Sequence, residues 1–190
     1  MDTSVLISKV SSANASPDKI KYIGGDRIYF SRKIPDDLAL ELNRLLDMDF
    51  SKSDQNSLVK GNLYLEERLL EIHEQWPGCV DPYMALFKFY FRVVRYQEAE
   101  RMVWRLMTLL SDRNQFCKNY RLLKPCTTNW LLHDSDPRHF LFCLKALGVI
   151  RLRRGKVFLA KKVLSKLEEL DPNDEIGGSN FLFIARSFDE

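Results

Sequence analysis

The sequence lacks a long hydrophobic run, a strong charge of one sign and a secretory signal. No stretch reaches the roughly 18 apolar residues that a membrane-spanning helix needs. Its 29 basic and 26 acidic residues leave a net charge of +3, too small a surplus to indicate a nucleic acid or an anionic membrane as partner. The opening residues have neither a basic start nor an apolar stretch. We therefore expect a cytoplasmic protein whose four cysteines are reduced.

Motifs for phosphate binding and compact metal binding are missing as well. Neither of the two glycine pairs is followed by a Gly-x-x-x-x-Gly-Lys pattern, so both indicate turns. Cys117, Cys126, His133 and His139 could supply four zinc ligands. They are separated by eight, six and five residues, whereas ligand pairs usually lie about two to four residues apart. We predict no catalytic residue, metal or cofactor, and a metal-dependent or thiol enzyme using these four residues is the alternative.

Residues 1–34 differ in composition from the rest of the chain. The first 18 are rich in Ser, Asn and Ala and indicate a tail. Two β-prone runs within residues 20–30 flank Gly24-Gly25, a pattern that predicts a small β-hairpin. An isolated hairpin is only marginally stable in water, so this one would have to dock on the remaining chain.

From Pro35 to the end, apolar residues recur at helical spacing. The pattern predicts six helices and a last capping helix, which begin near residues 35, 58, 81, 97, 138, 156 and 174. Proline and glycine mark most of the boundaries because neither residue continues a helix easily. The third helix is apolar nearly all round, which indicates burial on several sides. The predicted fold class is therefore all-α over residues 35–190.

An internal repeat appears when Ala99 is superposed on Ala160. The first copy then places Tyr83, Leu86, Phe87, Tyr90, Tyr96, Ala99, Val103 and Leu106 on Leu144, Leu147, Gly148, Arg151, Val157, Ala160, Leu164 and Leu167 of the second. The pattern of large residue, Leu-Gly, aromatic and small alanine, followed by a terminal proline at Pro172, resembles the tetratricopeptide repeat. The helix that ends at Pro77 is interpreted as the second half of an earlier, degenerate copy.

The resemblance implies stacked antiparallel helical hairpins in a superhelix, and a non-catalytic role in binding another protein. Small residues at Ala99, Gly148 and Ala160 would let the two helices of a hairpin approach closely. The copies lie 61 residues apart instead of the family's period of about 34. An insert outside the repeat is therefore predicted at about 112–139.

Eight residues are predicted to contact the partner, which would be a peptide or an amphipathic helix. They are the aromatic side of the third helix and its arginines, a tryptophan of the insert and an arginine of a basic run: Tyr83, Phe87, Tyr90, Phe91, Arg92, Arg95, Trp130 and Arg151. The competing interpretations are core packing for the rings, gap filling for Trp130 and a solvated face for the basic run. A structural subunit of a larger assembly is the remaining alternative, and no small-molecule substrate is expected.

Overall fold

The computed structural model describes residues 34–46 and 55–189, and all regular structure in these ranges is helical. Helices α1 to α7 cover Asp36–Leu46, Gln55–Gln75, Val80–Arg92, Tyr96–Asn114, Asp136–Arg153, Val157–Leu170 and Ser179–Arg186, with 3-10 turns at Tyr120–Leu122, Pro125–Thr127 and Ser187–Asp189. The all-α prediction is confirmed for these ranges, whereas the β-hairpin predicted at 20–30 lies outside them. Among the helices described, none is long and apolar enough to cross a membrane.

The helices begin close to the predicted positions, except for the last one. Helix α4 ends at Asn114 and is followed by Gln115, whose φ of 55° is left-handed. The last helix begins at Ser179 instead of residue 174 because Asp174 holds a turn. One carboxylate oxygen of Asp174 accepts hydrogen bonds from the backbone N–H of Gly178 at 2.5 Å and of Ser179 at 2.9 Å, which caps α7.

Two tight turns of the same geometry join α3 to α4 and α5 to α6. Val94 and Gly155 occupy the left-handed region in these turns, with φ of 63° and 68°. The N–H of Arg95 donates to the carbonyl of Tyr90 at 2.9 Å, and the N–H of Lys156 donates to the carbonyl of Arg151 at 2.8 Å. Both bonds join residues five apart, as in a Schellman motif. The two turns are related by the 61-residue offset that the sequence repeat predicts.

Small residues separate the helices of these hairpins. A Cβ atom on Gly148 would lie 2.5 Å from Cγ and from one Cδ of Leu164, a distance that no real side chain occupies. Any residue larger than glycine would therefore require Leu164 to shift. Ala99 and Ala160 are fully buried in the core. The predicted close approach is confirmed for Gly148.

Residues 115–135 form the insert between α4 and α5, within the predicted range 112–139. Trp130 is buried, and its ring centroid lies 5.3 Å from that of Phe116 and 5.9 Å from that of Phe140. Its indole N–H donates to the carbonyl of Lys124 at 2.9 Å. Lys166 of α6 donates to the carbonyl of Leu123 at 3.1 Å. The insert is thus packed against the helices through its own apolar residues.

Candidate partner-binding surface

A largely buried acid of α2 connects that helix to the hairpin of α3 and α4. Glu66 accepts hydrogen bonds from the hydroxyl of Tyr90 at 3.0 Å and from the guanidinium of Arg95 at 2.5 Å. Burial, together with the hydrogen bond to Glu66, raises the pKa of Tyr90 to about 12. Arg95 also lies over the Tyr90 ring, with its Cζ 4.8 Å from the centroid. These contacts fix the end of α3 against α2.

An equivalent acid connects the hairpin of α3 and α4 to the hairpin of α5 and α6. Glu100 of α4 accepts a hydrogen bond from Nε of Arg151 at 3.1 Å and forms an ion pair with Arg154, and all three side chains are largely buried. Glu100 follows Glu66 by 34 residues, and Arg151 corresponds to Tyr90 in the repeat. The same type of joint therefore recurs between successive pairs of helices.

The eight predicted contact residues divide according to their burial. Tyr83, Tyr90, Trp130 and Arg151 are each less than a tenth exposed and interact within the chain. Tyr83, for example, donates to the carbonyl of Pro77 at 3.0 Å and packs its ring edge-on against His73 at 4.2 Å. Phe87 and Phe91 are half-buried, and Arg92 and Arg95 are exposed. Partner contact stays a prediction for all eight, and Phe87, Phe91, Arg92 and Arg95 are the most accessible of them.

Helix α5 carries a stripe of half-buried residues and no fully exposed one. The stripe follows helical spacing along one side and comprises Phe142, Lys145, Ala146, Val149, Leu152 and Arg153. Lys145 at one end donates to the carbonyl of Ile176 at 2.7 Å, and burial lowers its pKa. The central part of the stripe is apolar and remains partly open to solvent.

The stripe of α5 meets α3 at one point. Cζ of Arg153 lies 6.0 Å from the ring centroid of Phe91, which itself packs on Tyr96 at 5.3 Å. Arg92 is exposed, lies with its Cζ 5.8 Å from the ring centroid of Phe89, and corresponds to Arg153 at the 61-residue offset. We define the inner face as Phe91 and Arg92 of α3 together with Val149, Leu152 and Arg153 of α5. This surface combines apolar and aromatic area with two guanidinium groups.

Sequence reasoning missed Val149, Leu152 and Arg153 as surface residues. The signal was present in the repeat, because the 61-residue offset places Phe91 on Leu152 and Arg92 on Arg153. The prediction applied the offset to Arg151, which it placed on Tyr90, and did not extend it to Leu152 and Arg153. Arg151 then proves to be the internal partner of Glu100, and Arg153 is the residue at the surface.

The residues of the predicted zinc or thiol alternative lie mostly on the insert. Cys117, Cys126 and His133 are exposed, whereas His139 is buried and lines a cleft of about 600 Å³ near the N-terminal ends of α3 and α5. Within residues 34–46 and 55–189, no three His, Cys, Asp or Glu side chains are grouped so that they could hold a metal ion. Cys143 lies outside this group of four residues and is fully buried. Burial strongly raises the pKa of its thiol, which keeps the thiol protonated.

No family model, curated protein or solved structure matches the chain at a significant level. The likeness to the tetratricopeptide repeat therefore rests on the residue pattern of the chain itself.

Proposed function

We propose that this protein is a non-catalytic protein-binding module, an adaptor or chaperone, built from tetratricopeptide-like hairpins. Helices α1 and α2, α3 and α4, and α5 and α6 would form three such hairpins, with α7 as a terminal cap. Its inner face would hold a peptide or an amphipathic helix of another protein. No catalytic group or cofactor takes part in this proposal.

The recurring geometry supports the repeat architecture. Two hairpin turns share their left-handed residue and their backbone hydrogen bonds at an offset of 61 residues. The acids at Glu66 and Glu100, 34 residues apart, each receive donors from the helix that follows. This distance agrees with the family period of about 34 residues. Joints of this kind between successive units are expected where each unit packs mainly on its neighbours.

The half-open apolar stripe of α5 is the observation that carries the binding role. Every other side of this helix is covered, so Val149 and Leu152 remain partly accessible only on the inner face. Aromatic and arginine side chains are enriched at protein interfaces, and Phe91, Arg92 and Arg153 adjoin the stripe. A groove of this composition suits an amphipathic helix or an extended segment.

A substitution in the middle of the stripe tests the binding role. Val149→Lys places a charge on the inner face, where it should block an apolar partner, and we expect the proteins that co-purify with the wild-type chain to be lost. The matched control is Phe158→Lys on α6, because Phe158 is 67% exposed and lies outside the inner face. Quantitative mass spectrometry compares the captured proteins, and circular dichroism checks that both variants are folded.

Two results would contradict the proposed binding role. One is a wild-type chain that enriches no protein over a control resin. The other is a folded Val149→Lys variant that retains the same partners as wild type and as Phe158→Lys. Loss of the partners in the Val149 variant alone supports the inner face as the contact surface.

A further inference from the structure

Most arginines of the described chain are matched by an acid, and the exceptions on the inner face are Arg92 and Arg153. Arg95 pairs with Glu66, and Arg154 pairs with Glu100. Even the exposed Arg186 has an acid, Glu168, at 2.9 Å. Arg92 and Arg153 contact rings instead, and neither forms an ion pair with any residue described.

Arg92 and Arg153 occupy the same position in the two copies of the repeat. Both follow an apolar residue of the inner face, Phe91 in the first copy and Leu152 in the second. The neighbouring Arg154, one residue further on, pairs with Glu100 and is not part of the inner face. The recurrence places two cations beside the same apolar stripe.

The guanidinium of Arg153 is held in place without an acceptor. Its Nε is shielded from solvent and has no hydrogen-bond partner among residues 34–46 and 55–189. Because a docked segment cannot reach a shielded Nε, a carboxylate would meet the two terminal nitrogens of this guanidinium. Stacking near Phe91, with Cζ 6.0 Å from the ring centroid, orients the planar group. A guanidinium fixed in this way is prepared for a carboxylate, which it can bind through two parallel hydrogen bonds.

We infer that the segment bound on the inner face is acidic. It presents an Asp or Glu carboxylate to Arg92 and Arg153 while its apolar side chains lie on Phe91 and Val149. This inference rests on the proposed function and specifies the chemistry of the partner. Charge complementarity fixes the register of the partner along the stripe and favours acidic over basic segments.

Selection from a random peptide library displayed on phage tests the charge preference with the full chain. Wild-type protein should enrich sequences that combine apolar residues with Asp or Glu. The doubly charge-reversed variant, Arg92→Glu with Arg153→Glu, should enrich Lys or Arg instead. Peptides selected on wild type should bind this variant at least about 10-fold more weakly. Arg121→Glu is the matched control, because Arg121 is an exposed arginine of the insert outside the inner face.

The outcomes separate the inference from the proposed function. If wild type selects no peptide, the binding role itself fails. If the selected peptides carry no acidic excess, or if charge reversal leaves the preference unchanged in a folded variant, the acidic partner is refuted. The proposed binding role of the inner face is then retained. Should the double variant not fold, the single substitution Arg92→Glu replaces it, since Arg92 is exposed. A preserved preference for acids in that variant and in Arg153→Gln would then refute the inference.

Discussion

The contact between Gly148 of α5 and Leu164 of α6 predicts how Gly148→Ala changes stability. Alanine is the better helix former by about 1 kcal/mol, which alone would stabilise α5. The new methyl group would lie 2.5 Å from Cγ of Leu164, however, and overpacking of this kind costs about 1–3 kcal/mol. The cost exceeds the gain, so we expect a net loss of about 1 kcal/mol in the free energy of unfolding and a decrease of about 2–4 °C in Tm.

Removing the obstructing side chain should reverse the sign. Leu164→Ala alone leaves a cavity and costs about 2–5 kcal/mol. In that background the methyl group of Gly148→Ala enters the vacated space, and the substitution should now stabilise by about 1 kcal/mol. The coupling between the two sites is therefore about 2 kcal/mol, within the range found for residues in contact.

Urea unfolding of the four proteins in this cycle, followed by circular dichroism, measures the coupling. Ala146→Gly on the same helix calibrates the difference in helix propensity, because Ala146 lies on the half-open stripe where space is not limiting. An equal effect of Gly148→Ala in both backgrounds would refute the reasoning. A stabilised Gly148→Ala single variant would refute it as well.

The other predictions concern the left-handed turns and the buried acid, and chemical unfolding measures both. Val94→Gly should stabilise by up to about 1 kcal/mol because a β-branched residue is strained at φ of 63°, and Gly155→Val should destabilise by about 1–2 kcal/mol. Effects of equal sign would contradict this. Glu100→Gln should cost about 3–5 kcal/mol because two largely buried arginines lose their acid. Glu168→Gln, in an exposed pair, should cost at most about 1 kcal/mol, and similar losses would contradict the ranking.

The helices were predictable because the residues that begin and end them lie at the helix ends themselves. Pro137 and Ser135 start α5 through a proline at the first turn and a side-chain cap, and Gly155 ends it in a left-handed turn. The repeat register was predictable for a similar reason, since the small residue Gly148 has one physical use, the approach of two helices. Each of these signals lies within a few residues of the feature it determines.

The binding surface was less predictable because it depends on distant partners. Periodicity shows that α3 and α5 are apolar on several sides, and it does not distinguish a side covered by other helices from a side left open. Tyr90 is buried because Glu66 lies 24 residues earlier, and Arg151 because Glu100 lies 51 residues earlier. One sequence does not reveal such pairs until the repeat offsets are applied to charged as well as apolar positions.

The order of contacts along the chain bears on how the protein folds. Among the described helices, most packing joins one helix to the next in sequence. Few contacts then require the closure of long loops, and chains rich in local contacts fold quickly. During synthesis each hairpin can pack on the preceding one as soon as it has itself left the ribosome, without waiting for the C-terminal residues. Folding of this kind would cover the other sides of α5 as α6 and α7 are added, whereas its apolar stripe stays partly open in the folded chain.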